Sequence, residues 1–164
     1  MSERNIIKGI VEINIIDAKT KEIIEKHIYN NMLVDNGRKM FRNWASNIAP
    51  ASDADYNVDT RITHIAVGDD NTAASQTQTA LGNQLLKKQL YPTSDSGCGI
   101  VFIDNETVEF QMLIDTSELN GNTIREVALF SETFTNFMIS RLLCGNLSKT
   151  SDVQFLIKYR FIFG

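Results

Sequence analysis

The residues of this chain best suited to chemistry are its carboxylates. The first set to weigh is Asp53, Asp55, Asn57 and Asp59, oxygen donors at alternate positions. That spacing opens a calcium loop of the EF-hand kind, which also needs glycine at its sixth position for a sharp turn and a bidentate glutamate at its twelfth. Val58 and His64 stand there instead, so the segment reads as a solvated loop and no metal is expected. Asp69, Asp70, Glu106 and Glu109 supply carboxylates for glycoside hydrolysis, but that reaction depends on a set separation between two of them, and no spacing here singles out a pair. His27 and His64 have no serine or cysteine motif beside them, and His64 falls inside an apolar run, where a satisfied structural histidine is the preferred reading. Cys98 and Cys144 belong to no Cys-x-x-Cys or Cys/His spacing and read as buried thiols. With no Gly-x-Ser-x-Gly, His-Glu-x-x-His, P-loop or dinucleotide glycine pattern, neither catalysis nor a cofactor is expected.

Two further charges stand in an unusual place. Arg125 and Glu126 interrupt the run Asn120 to Ser131, which opens on the turn signal Asn120-Gly121. Beyond it Ile124, Ala128 and Phe130 point one way and Val127 and Leu129 the other, the pattern of a central strand covered on both faces. Neighbours on a strand face opposite ways, so at least one of the two charges points into an apolar layer and needs a partner. Glu126 is expected to be a structural carboxylate paired with Arg141 or Lys158. Of Arg125 and Glu126, one is expected to reach a partner within the fold and the other a neighbouring subunit.

The elements that must position these charges are mostly strands. Residues 6 to 17 and 22 to 31 alternate as a hairpin across the polar turn at Asp17. Asp35 opens a helix over 35–48, with Met40, Phe41, Trp44, Ala45 and Ile48 on one stripe and Trp44 as its core anchor. Residues 62 to 68 form a strand, Thr79 to Leu86 a short helical turn (79–86), and Leu86 to Tyr91 a further strand ended by Pro92. A hairpin follows over 100–103 and 107–115, then strands at 137–143 and 152–163. The last is the most regular, with Val153, Phe155, Ile157, Tyr159, Phe161 and Phe163 on one face. Tyr159 and Phe161 are candidates for a locked sheet or a subunit contact. The expected fold is mainly β: one antiparallel β-sandwich-like domain over 1–164, with the N-terminal hairpin and helix (1–49) packed on a C-terminal sheet (61–164).

Composition limits the partners. At 164 residues with 43% hydrophobic and 22% charged residues and only two prolines, the chain carries enough apolar material for a core. A net charge of −4 without a basic patch argues against nucleic acid. No stretch approaches the roughly 20 apolar residues of a membrane span, and the N-terminus has no signal-peptide core, so synthesis in a cytoplasm without membrane insertion is expected.

Several of these segments together resemble a known family. The run Ile62-Thr-His-Ile-Ala-Val-Gly68, the polar loop, Thr79-Ala-Leu81, Ile124-Arg-Glu-Val-Ala-Leu-Phe130, Arg141 and the final aromatic strand are similar to bacteriophage tail-fibre or baseplate-associated proteins and their relatives in contractile injection systems. Asn31-Met-Leu-Val-Asp-Asn-Gly37 after the first hairpin adds to the likeness, and Ala128 departs from it where such proteins often carry glycine. The resemblance implies a non-enzymatic virion component, made in the host cytoplasm and packed as a trimer or ring against other tail or baseplate proteins. The alternative is a glycan- or receptor-binding module. Its polar loops 50–61, 69–78 and 93–99 would grip a cell-surface glycan, with Tyr56 and Tyr91 as stacking platforms.

Overall fold

The structure is a computed structural model that describes residues 7–45, 61–91, 97–132 and 137–164, with Met32 described in its backbone only. The calcium-like run 53–59, Tyr56, Ile48, and residues 93–96 of the third polar loop lie outside the described residues. Among those described, ten strands and one helix form two five-stranded antiparallel sheets. The mainly β class with one main helix is the one expected. The chain divides into two compact units, to which it contributes alternately. Met1–Asn31, Leu90–Asn122 and Lys149–Gly164 belong to the first, and Met32–Gln89 and Thr123–Ser148 to the second. The hairpin and the helix, grouped above as 1–49, therefore fall in different units.

The sheet of the first unit comprises β1 (Ile7–Asp17), β2 (Ile23–Asn30), β6 (Cys98–Phe102), β7 (Thr107–Ile114) and β10 (Val153–Phe163), in the order β2-β1-β10-β7-β6. Alternation in β10 places Phe155, Ile157, Tyr159 and Phe161 on one face, where register sets Ile157 between Ile13 and Met112, all three fully buried. Burying each such side chain stabilises the fold by about 1.5–3 kcal/mol. Tyr159 satisfies its hydroxyl by donating to Asn31 Oδ1. The reverse face is not simply solvated. Arg160 donates Nε to Glu109 and Nη1 to Glu12, the latter at 3.1 Å, while Lys26 and Asn14 Nδ2 also hold Glu12, and both carboxylates are buried.

The sheet of the second unit comprises β3 (Met32–Leu33), β4 (His64–Gly68), β5 (Gln84–Gln89), β8 (Thr123–Ser131) and β9 (Phe137–Ser148), ordered β3-β9-β8-β4-β5. Strand β8 is thus central and buried along nearly its whole length, as its two apolar faces predict. Helix α1 (Asp35–Ala45) meets this sheet through Gly37, where an added Cβ would lie 2.1 Å from the Ile139 carbonyl oxygen. That close approach fixes which face is buried. The buried positions Gly37, Met40 and Asn43 advance by three residues, a line that drifts about 60° per step around a helix of 3.6 residues per turn. By the last turn it has moved away from Trp44, which is 62% exposed. The core-anchor expectation for Trp44 is corrected.

The short helical turn expected over 79–86 is also absent. Ala80 to Asn83 bend and Gln84 begins β5, because the backbone N–H groups of Gly82 and Asn83 turn to the Glu126 carboxylate and not to carbonyls four residues back. Leu81 still reaches the core, packing with Val34, Ala66, Ala128, Phe130 and Met138.

Candidate functional site

The site grows out of the register of β4, β8 and β9. Gly68 stands opposite Glu126, and Ala66 and Arg141 flank Ala128. Glu126 and Arg141 thus lie diagonally on adjacent strands and share a face with Ala128. Diagonal neighbours are within reach of long side chains. Arg141 Nε donates to Glu126 Oε2 at 2.7 Å, and neither side chain has any exposure. Arg141 is one of the two partners expected for Glu126. Lys158, the other, lies on β10 in the first unit.

Around this pair folds the polar segment 69–83, the strap between β4 and β5. Glu126 Oε1 accepts the N–H groups of Asn83 at 3.1 Å and Asp70 at 3.4 Å, and Oε2 accepts that of Gly82 at 3.2 Å. Arg141 donates Nη1 to the Thr72 carbonyl and to Gln78 Oε1, both at 3.0 Å, and Nη2 to Asp70 Oδ2 at 3.0 Å. Glu126 holds the two ends of the strap and Arg141 its middle. Gly82 and Gly68 are needed for the fit, since a Cβ would stand 2.1 Å from Asp70 Oδ2 in the first case and 2.3 Å from the Asn83 carbonyl oxygen in the second. Helix α1 adds to the hold, as Asp35 N donates to the Gln76 carbonyl at 2.8 Å and Arg38 to the Gln76 side chain.

Chemically the pair is saturated. A carboxylate offers about four lone-pair sites, and Glu126 fills them with three amides and a guanidinium. Its oxygens organise a backbone; they are not poised to take a proton from a substrate. Outward from the pair the strap presents Asn71, Thr72, Ala73, Ser75, Gln76, Thr77 and Thr79, all exposed, on a base tied down by these hydrogen bonds. Loops held in this way by a rigid scaffold are where partners bind.

Arg125 has partners within the fold. It turns inward to the fold, donating Nε to Asn146 Oδ1 at 2.7 Å and Nη1 to the Asp69 carbonyl at 3.1 Å, and so ties the start of the strap to β9. Tyr159 and Phe161 are buried in the sheet of the first unit, which suits a locked strand and leaves them no surface for a subunit contact.

His64 has both ring nitrogens occupied, as a structural histidine should. Thr63 Oγ1 lies 2.8 Å from Nδ1 and Glu132 Oε2 lies 3.3 Å from Nε2. Lys87 pairs with the same carboxylate and sits 4.0 Å over the Phe130 ring. Burial pushes the His64 pKa below its usual value, Glu132 opposes that shift, and Lys87 adds to it. Cys98 and Cys144 are both buried, and burial drives the Cys144 thiol up to about 12, far from the reactive range.

Sequence reasoning missed Thr72, Gln78, Gly82 and Asn83 as anchors of the strap. The available signal was the pair of glycines at its two ends, each placed where a buried carboxylate must meet backbone.

Comparisons were made with protein-family models, with curated proteins and with solved structures. None of them matches the chain.

Proposed function

We propose that the chain is a structural subunit of a bacteriophage or phage-like tail, seated at the baseplate or the root of a fibre, and that it works by packing against other tail proteins and not by catalysis. The observation that carries this reading is where the family-like segments fall. Ile62 to Gly68, Thr79 to Leu81, Ile124 to Phe130 and Arg141 are scattered along the sequence, yet they meet in one unit around the Glu126–Arg141 pair, while the final aromatic strand belongs to the other unit. Residues that resemble a family only as punctuation thus share a physical task, which is to hold a polar strap on a central strand. Ala128, the departure from the family pattern, is fully buried opposite Ala66, so its methyl group fits where the family often keeps none.

A strap so held suits a permanent contact with a neighbouring subunit. The loop arrives already ordered and little conformational entropy is lost on assembly. In this reading the protein resides in the virion tail, with other tail or baseplate proteins and further copies of itself as partners. The test is electron microscopy of particles made without the protein. Tails lacking fibres or a complete baseplate are expected; intact, fibre-bearing, infectious tails would overturn the proposal.

A further inference from the structure

Lys149 is 1% exposed, and its ammonium has no carboxylate in direct salt-bridge contact among those described. It donates instead to Asn120 Oδ1 at 3.2 Å and to the Thr150 carbonyl at 2.7 Å. Burying a lysine against a neutral amide is costly. Two features make this amide unlike an ordinary acceptor. Its plane is fixed, because Asn120 Nδ2 donates to the Thr116 carbonyl at 2.8 Å. Burial pulls the Lys149 pKa below its usual value, and the charges of Asp115 and Glu118 oppose that shift. The backbone locks the same geometry from both sides: Gly121 N donates to the Lys149 carbonyl and Lys149 N to that of Asn122.

We propose that Lys149 and Asn120 condense to an intramolecular isopeptide bond. A buried amine hydrogen-bonded at 3.2 Å to the oxygen of a fixed carboxamide brings together the two groups that amide aminolysis joins. The ammonium gives one proton to water at the exposed side of the turn, and Nζ attacks Asn120 Cγ. A second proton passes from the attacking to the departing nitrogen, the Cγ–Nδ2 bond breaks, and ammonia leaves through the exposed side of the Asn120 turn. One C–N bond forms and one breaks, with no oxidant or reductant. The bond joins residues 29 apart and closes a ring containing the whole of β8 and β9, a staple of the kind that stabilises by restricting the unfolded chain. The inference does not depend on the tail reading above.

The experiment is intact-mass spectrometry of the full, denatured chain after incubation at mildly alkaline pH, followed by tryptic mapping. The cross-link predicts a mass about 17 Da below that of the sequence, no cleavage after Lys149, and a branched peptide joining 89–125 to 142–158. Lys149→Arg and Asn120→Ala proteins should keep the full mass. A wild-type chain of full mass with cleavage after Lys149 overturns the proposal. So does a deficit that hydroxylamine converts to cleavage between Asn120 and Gly121, since that marks a succinimide formed by the neighbouring backbone nitrogen and leaves Lys149 sensitive to trypsin.

Discussion

Glu126 and Arg141 meet at 2.7 Å with neither side chain exposed, and among the described residues the other hydrogen bonds of the two groups go to the strap between β4 and β5. Taking two charges out of water costs several kcal/mol per ion. That cost is offset by their mutual attraction and by six hydrogen bonds to the strap, which would otherwise have to satisfy its backbone from solvent. The pair therefore serves the loop more than the sheet.

The losses from removing the two members should not be additive. Glu126→Ala leaves a buried guanidinium uncompensated and should lower unfolding free energy by about 3–5 kcal/mol, a large part of the roughly 5–15 kcal/mol that holds a domain together. Arg141→Met should cost a similar amount. A Glu126→Ala, Arg141→Met double variant should lose less than the two single losses added together. Urea denaturation of the four proteins gives the coupling, and strictly additive losses would contradict a coupled pair.

The two glycines beside the pair should differ in tolerance. At Gly68 the added methyl meets a backbone carbonyl, the oxygen of Asn83, which cannot swing away. At Gly82 it meets the Asp70 carboxylate, which can rotate at the expense of its bond to Arg141. Gly68→Ala should therefore cost more than Gly82→Ala, both within the about 1–3 kcal/mol typical of overpacking. Thermal melts rank them, and equal or reversed losses would count against the close approach.

How far was this legible beforehand? Period-two alternation placed β7, β8 and β10 well, and the doubly apolar run of β8 gave its central position, because side-chain direction along a strand depends on sequence alone. The orientation of α1 was not legible. Hydrophobicity put Trp44 inward, but the helix is rotated by the contact of Gly37 with the Ile139 carbonyl, and a glycine contributes nothing to an apolar stripe. The strap was hidden for a different reason: Thr72, Gln78 and Asn83 have the composition of a solvated loop whether their groups face water or a buried ion pair. The partition into two units was equally hidden, since alternation reports which face a residue takes and not which sheet its strand joins.

Trp44 gives a direct optical check on that helix. As the only tryptophan, and 62% exposed, it should emit close to free tryptophan in water and be quenched readily by acrylamide. Trp44→Ser should change stability by no more than about 0.5 kcal/mol. A blue-shifted, protected emission would return Trp44 to the core.

His64 sets a pH dependence. Its folded pKa lies below the unfolded value of 6.5, so the unfolded chain binds the proton more readily. The neutral ring's stability is fully present above that value and is lost as pH falls through the folded pKa. The urea midpoint should fall from neutral pH toward mildly acidic pH, and fall less in His64→Gln. An NMR titration of the ring placing its pKa above 6.5 would reverse the sign and contradict the account.

Glu126 holds the strap through three backbone amides, and amide hydrogen exchange reads that hold residue by residue. In Glu126→Gln, which keeps the shape but loses the charge, the Gly82 and Asn83 amides should exchange at least about tenfold faster, equivalent to about 1.4 kcal/mol of lost protection. The Ile157 amide on β10 reports any change in global stability, and the strap amides should lose protection beyond that change. Protection at Gly82 and Asn83 that falls no further than at Ile157 would contradict that hold.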